Sequence, residues 1–208
     1  MLDGTSILTQ LLASAHLRRL KREQAEKMIS ESGLDPIFNE QTPAIPNKTE
    51  ITPDVLELCR DVLVFAHHNP YLKLAGLAAN QLGKNGERLT INACFINRGY
   101  EFGWVTALNP EIIQTHGFSR SNTEGCLTWL KKQILAERHE DVTVSYLTVE
   151  GEKKEERVTG FEAIVWQHEI NHLNGVPEHV VDPQIKMKPN DQCCCGSERK
   201  FKVCCGRR

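Results

Sequence analysis

The stretch Gln167-His168-Glu169-Ile170-Asn171-His172-Leu173-Asn174-Gly175 holds the residue types and spacing that could do chemistry. Two histidines four apart on a helix lie one turn above each other on one face, so both imidazoles can reach a single metal ion. Glu169, beside the first histidine, is placed to take up and return the proton of an attacking water. The surrounding residues support a helix. Phe161, Ile164, Val165, His168 and His172 follow three- and four-residue spacing, and Gly175 after Asn174 is a natural stop. The bland alternative is a helix carrying two core or surface histidines beside an acid. A catalytic metal needs a third protein ligand, which must come from elsewhere in the chain.

Cys126, in Thr123-Glu124-Gly125-Cys126-Leu127-Thr128, is a candidate for that ligand. A lone cysteine is more often a buried packing residue. Beside a helix with two histidines it would complete a His₂Cys set with one position open for water.

These residues must be positioned by the elements around them. Residues 6–32 read as a helix or helical hairpin, with the basic run His16 to Arg22 on what is most simply a solvated face, the alternative being a face that lies on a membrane surface or on ribosomal RNA, and Gly33 ends the segment. Leu34 to Asn47 is proline-rich and reads as an extended, wrapping connection. Thr52, Pro53 and Asp54 read as N-cap, first helical residue and first-turn acid of a helix with Val55, Leu58, Cys59, Val62, Leu63 and Ala66 on its core face. It stops near Asn69-Pro70. Leu74 to Gly83 reads on its small residues as a loop; the alternative is an edge strand that receives a peptide. Strand candidates follow at Leu89 to Ile96, Trp104 to Leu108, Glu111 to Gln114, Gln133 to Glu137, Val142 to Val149 and Glu155 to Val158, with a turn at Gly151. Several strands followed by one long helix predict an α+β fold.

With 208 residues, the chain has room for one catalytic core and small additions. Its 25 basic and 27 acidic residues nearly balance, which argues against a general nucleic-acid binder. No apolar run approaches the roughly 18 residues of a membrane span. No signal peptide is seen at the N-terminus, so the cytoplasm is expected. Disulfides are not the expected use of eight cysteines there. Cys59, Cys94 and Cys126 are scattered, whereas Cys193, Cys194, Cys195, Cys204 and Cys205 crowd the last 16 residues. Cys193-x-Cys195 followed by Cys204-Cys205 offers four thiolates in one short hairpin, suited to tetrahedral zinc.

Three blocks in this order resemble peptide deformylase: Gly76-Leu77-Ala78-Ala79-Asn80-Gln81, Glu124-Gly125-Cys126-Leu127-Thr128, and Gln167 to Gly175. The resemblance runs from Leu34-Asp35-Pro36 to about Asp182. It implies a catalytic domain over residues 33–182, with antiparallel sheets around a central HExxH helix, after an N-terminal helical extension over residues 1–32. It further implies that Cys126, His168 and His172 hold the metal and that Glu169 is the general acid and base. Gln81 and the Leu127 amide would form the oxyanion hole; Gly76, Glu124 and Gly125 would border the peptide groove, with Arg138 near the substrate. The metal would be Fe²⁺, although the ligand types alone permit Zn²⁺, Co²⁺ or Ni²⁺. The implied substrates are N-formylmethionyl nascent peptides, and a monomer is expected. The chain departs from the family's usual pattern at Leu74 (glycine), Asn80 (proline), Asn171 (aspartate) and Thr128 (serine).

Cys193 to Gly206 resembles the SEC-C zinc module. Residues 190–208 are therefore expected to hold a structural Zn²⁺ on Cys193, Cys195, Cys204 and Cys205, with Cys194 spare. From Ile185 onward the tail has seven basic and two acidic residues, as expected of an element that docks on the ribosome or a nascent-chain factor. Two rival readings follow. A metallopeptidase of the metzincin type would need a third histidine at position 178, where this chain has Glu178 with His179 one residue late. A catalytically silent scaffold acting through its tail would have no need of Cys126, His168, His172, Glu169 and Gln81 together.

Overall fold

The computed structural model describes residues 33–130, 132–181, 188–192 and 199–203. The helix expected over residues 6–32, Asp182, and the tail cysteines Cys193, Cys194, Cys195, Cys204 and Cys205 lie outside them. In chain order the elements are β1 (Leu34–Pro36), α1 (Pro53–His68), β2 (Gly76–Ala78), β3 (Leu82–Lys84), β4 (Glu87–Arg88), β5 (Ala93–Asn97) and β6 (Trp104–Thr115). There follow β7 (Ser119–Glu124), β8 (Gln133–His139), β9 (Asp141–Leu147), β10 (Lys153–Thr159), α2 (Gly160–Leu173) and β11 (Val180–Val181). All strand pairs are antiparallel. They form a five-stranded sheet, β10-β9-β6-β5-β2, and two three-stranded sheets, β1-β3-β4 and β11-β8-β7. The result is an α+β fold.

The five-stranded sheet is apolar on both faces, because a different cluster covers each one. Ala93 and Phe95 of β5 pack in the cluster that contains Cys59, Val62, Leu63 and Phe65 of α1. Cys94 and Ile96 point the other way, into the cluster with Ala163, Val165, Trp166 and Ile170 of α2. This two-sided burial explains why β5 reads as a continuous apolar run rather than an alternating one. The strand itself is shorter than the Leu89 to Ile96 candidate, of whose first residues Leu89 and Ile91 are buried without joining a ladder.

Helix α1 starts as its residues predict, with the Val55 amide donating to Thr52 Oγ1 at 3.3 Å and Pro53 in the first turn. Cys59 is fully buried on its core face, and burial pushes the thiol up to about 12. It is a packing residue.

Four expectations need correction. Gly76–Ala78 is a strand, not a loop, and it lies at the edge of the five-stranded sheet. Leu34–Pro36, expected as plain extended connection, pairs with β3. The candidates at Trp104 and Glu111 are one strand, β6, whose register against β9 shifts between Leu108 and Glu111. That irregularity surrounds Asn109, which has φ of 51°, and Pro110. A bulge lets one strand carry a proline and a left-handed residue without ending. Finally, β7 was missed, because Ser119-Arg120-Ser121-Asn122-Thr123-Glu124 is polar and largely solvent-facing.

Helix α2 ends where Gly175 adopts φ of 62° and its amide donates to His172 O at 3.1 Å. A Cβ there would lie 2.5 Å from the Ala44 backbone nitrogen. Both the backbone conformation and the close approach of residues 44–45 require glycine. Gly175→Ala is expected to destabilise the fold by about 1–3 kcal/mol, measured by urea unfolding. An unchanged midpoint would show that this contact does not constrain the helix end.

Candidate active site

Residues from three separate segments meet at the C-terminal half of α2. His168 and His172 stand one turn apart, with their Nε2 atoms 3.2 Å from each other. Cys126, just beyond β7, brings Sγ to 3.3 Å from His172 Nε2. Glu178, in the segment between α2 and β11, brings Oε1 to 3.1 Å from the same nitrogen. The four donor atoms all lie within 4.8 Å of one another.

Each imidazole is oriented from behind. Glu124 Oε2 lies 2.7 Å from His168 Nδ1, and since a carboxylate only accepts, the ring proton sits on Nδ1 and Nε2 faces the cluster. Thr42 Oγ1 lies 3.1 Å from His172 Nδ1 and can do the same for the second ring. Arg138 Nε and Nη2 each donate to Glu124 at 2.9 Å, a bidentate buried pair that fixes the carboxylate. Helix α2 is held at its last turn by Asn80 Nδ2, which donates to His172 O at 2.7 Å and to Pro43 O at 3.0 Å.

Burial raises the Cys126 thiol above its ordinary range. Burial alone would lower His168, but hydrogen bonds to Cys126 and Glu124 outweigh it and hold this ring well above the ordinary value. His172 is driven well below by burial and by the charge of His168. A sulfur, two imidazole nitrogens and a carboxylate are gathered within 4.8 Å of one another. That is the donor chemistry of a divalent metal site, and the residues fit one.

Glu169 is fully buried next to this cluster, and burial pushes its carboxyl up to about 7. Its Oε2 has no hydrogen-bond partner among the described residues. A Cβ on Gly76 would lie 2.6 Å from Glu169 Oε1, so β2 can pass the carboxylate only as glycine. Together they border a cavity of about 450 Å³ lined by Leu74, Gly76, Leu127, Phe161, Ile164 and Val165 among others.

Gln81 has its Oε1 tied to the Ala78 amide at 2.9 Å. Its Nε2 therefore points into the site, 3.1 Å from His172 Nε2, 3.5 Å from Cys126 Sγ and 3.3 Å from Thr128 Oγ1. Glu124, Gly125, Cys126 and Leu127 line the cavity in sequence. Arg138 is not among the lining residues and reaches the site through Glu124. Glu124 lines the cavity, and its carboxylate also holds His168 and Arg138 behind the groove wall. Sequence reading did not single out Thr42, Trp129 or Glu178. Only position 178 carried a signal, as the place where a third metzincin ligand would fall. His179 is not part of the donor cluster.

An antiparallel α+β fold that gathers a cysteine, two histidines and a carboxylate at a cavity end has the donor set of a metal-dependent hydrolase. Residues 33–186 match the polypeptide deformylase family, and residues 190–207 match the SEC-C motif. The chain belongs to the polypeptide deformylase family. The peptide deformylase of Agrobacterium fabrum is 32% identical over 142 residues, covering 68% of this chain and 79% of that one. That of Thermotoga neapolitana is 39% identical over 101 residues, covering 49% of this chain and 57% of that protein. The structure of a Synechococcus elongatus peptide deformylase in complex with actinonin superposes with a TM-score of 0.58 at 29% identity, covering 70% of this chain and 76% of that one. That of the Thermotoga maritima enzyme gives 0.55 at 30% identity, covering 68% and 90%.

Glu124→Gln keeps the shape of the side chain but removes the charge behind His168. It is expected to weaken metal affinity about 10- to 100-fold, read by competition with a chromogenic chelator. Unaltered affinity would mean that Arg138 and Glu124 serve the fold alone.

Proposed function

We propose that this chain is a peptide deformylase, which hydrolyses the N-formyl group from the amino-terminal methionine of newly made polypeptides and releases formate. The observation that carries the reading is the convergence of Cys126, His168 and His172 beside the buried Glu169 at the end of a cavity edged by β2.

Cys126 Sγ and the two Nε2 atoms would hold a divalent ion, which would supply Lewis acidity toward the attacking water and the formyl oxygen. Fe²⁺ is the proposed ion; the donor set accommodates Zn²⁺, Co²⁺ or Ni²⁺ as well. Glu169 takes the proton of that water as its oxygen bonds to the formyl carbon. A carboxyl held near 7 by burial suits a group that must both accept and return a proton. As the carbon–nitrogen bond breaks, Glu169 delivers the proton to the departing amine, and formate and the free amino terminus leave. The negative charge that develops on the formyl oxygen faces Gln81 Nε2, whose amide cannot turn away because Ala78 holds its oxygen. With the Leu127 amide it forms the proposed oxyanion hole, where loss of one donor typically costs about 100- to 1000-fold in rate.

The peptide is proposed to add to the edge of β2, along Gly76, with Gly125 and Glu124 across the groove. No strand among the described residues pairs with that outer edge. Apolar Leu74, Ile164 and Val165 then receive the methionine side chain.

In the tail, Cys193, Cys195, Cys204 and Cys205 are proposed to hold one structural Zn²⁺, and the basic residues to dock on the ribosome or a nascent-chain factor. Support comes from the flanking backbone: Phe201 donates to Asp191 O at 2.8 Å, Lys202 donates to Pro189 O at 2.9 Å, and Gln192 bridges Lys200. These bonds bring residues 189–192 and 200–202, which adjoin the cysteine runs in the sequence, together.

Two measurements test the reading. Formate release from a formyl-methionyl tripeptide is expected from anaerobically prepared protein, and Glu169→Ala should lower it at least about 100-fold while metal content per chain stays the same. Near-normal turnover by that variant would refute the role of Glu169. Removing residues 190–208 should spare tripeptide hydrolysis and reduce co-sedimentation with ribosomes; equal co-sedimentation would remove the docking proposal.

A further inference from the structure

We propose that Glu178 is a fourth protein ligand of the catalytic ion, so that the resting site is closed by a carboxylate. The inference rests on Cys126, His168 and His172 being the metal site.

Bonds of about 2.0–2.1 Å to nitrogen and oxygen and about 2.3 Å to sulfur, arranged tetrahedrally, put ligand atoms roughly 3.3–3.6 Å apart. The described separations are 3.2 Å between the two Nε2 atoms, 3.3 Å from Cys126 Sγ to His172 Nε2, 3.5 Å from Cys126 Sγ to Glu178 Oε1, and 3.1 Å from His172 Nε2 to Glu178 Oε1. Of these four edges of the six-edged donor polyhedron, those of 3.3 and 3.5 Å fall within the range a shared ion imposes, and those of 3.1 and 3.2 Å fall just below it. Gln81 Nε2 is also close, but an amide nitrogen that carries two hydrogens offers no lone pair to a metal.

Glu178 is built into this position rather than resting there. Its side chain is only 6% exposed. Trp129 Nε1 donates to Oε2 at 2.6 Å, which leaves Oε1 as the oxygen that faces the cluster. Gln41 clamps its backbone from both sides, accepting from the Glu178 amide at 3.1 Å and donating to its carbonyl at 3.0 Å. Beyond it, the His179 carbonyl accepts from Leu135 and β11 pairs with β8, so the segment is anchored on the same sheet that delivers Cys126. A carboxylate at this point shields the thiolate and the ion at rest. Water and the formyl group then gain the ion only as Oε1 moves off it, with Trp129 still holding Oε2.

The test uses Co²⁺, whose visible bands report ligand number and type. Wild-type protein, Glu178→Gln and Trp129→Phe would be loaded with Co²⁺ anaerobically, and their folding checked by thermal unfolding. Visible spectra and Co²⁺ affinity against a competing chelator would then be measured. The expected result is a tetrahedral spectrum for the wild type, and for Glu178→Gln an altered d–d envelope with affinity lowered about 100-fold. Trp129→Phe keeps the carboxylate and should keep the four-ligand spectrum, with a loss of about 10-fold, the low end of what removal of a supporting partner costs. If Glu178→Gln matches the wild type in both spectrum and affinity, Glu178 is not a ligand, although the three-ligand site stands. If the wild type shows no sulfur-to-cobalt charge-transfer band, the metal site itself is wrong and this inference falls with it. Should Glu178→Gln fail to fold, a wild-type spectrum typical of three protein ligands and water would overturn the proposal directly.

Discussion

Two imidazoles one turn apart on α2 can present Nε2 to a common point only if something holds each ring by its other nitrogen. Glu124 does this for His168 and Thr42 for His172, and the rest of the structure follows from supplying those two groups. Glu124 needs Arg138 to remain a buried anion, and Arg138 needs β8 to pair with β7 so that the two side chains meet. Thr42 needs the chain before α1 to wrap the end of α2, where Ile45 donates to Leu173 O at 2.7 Å and Gly175 admits Ala44. A proline-rich segment with few internal bonds of its own is suited to that wrapping.

The five-stranded sheet contributes in another way. Because α1 and α2 cover opposite faces, α2 is buried on a rigid support while β2 stays at the sheet edge. Burial is what moves the Glu169 carboxyl into the range where it can exchange protons, and edge position is what leaves a backbone available to a peptide. The glycine at position 76 couples the two, since any side chain there would occupy the space of the Glu169 carboxylate.

The departures from the family pattern sort by what they touch. Asn80 has become a structural group, fully buried, with its amide bonded to the carbonyl of His172. Thr128 keeps a hydroxyl within reach of Gln81. Leu74 lines the cavity and packs on the α1 cluster, so it narrows the groove rather than the metal cluster. Nothing in the structure explains Asn171 in place of an acid.

The chemistry of this protein was legible in its sequence wherever function depends on neighbours along the chain. The two histidines, Glu169 and the glycine stop are set by helical period, and the Thr52-Pro53 start of α1 by local backbone bonds. Cys126 was a candidate from ligand chemistry alone, but Gln81 and the meeting of both with the helix were readable only through a resemblance, since no local rule says that residues 45 or 91 positions apart will touch. Strand β7 was hidden because a polar edge of a small sheet has no hydrophobic period to read. Glu178 shows the limit most sharply. Its position could be counted from His172, but whether a residue six beyond a helix ligand returns to the metal depends on the path taken after Gly175. Gln41, Trp129 and the β11–β8 pairing decide that path, and all three are contacts between segments far apart in the chain. Periodicity determines which residues share a face; only tertiary packing decides which faces meet.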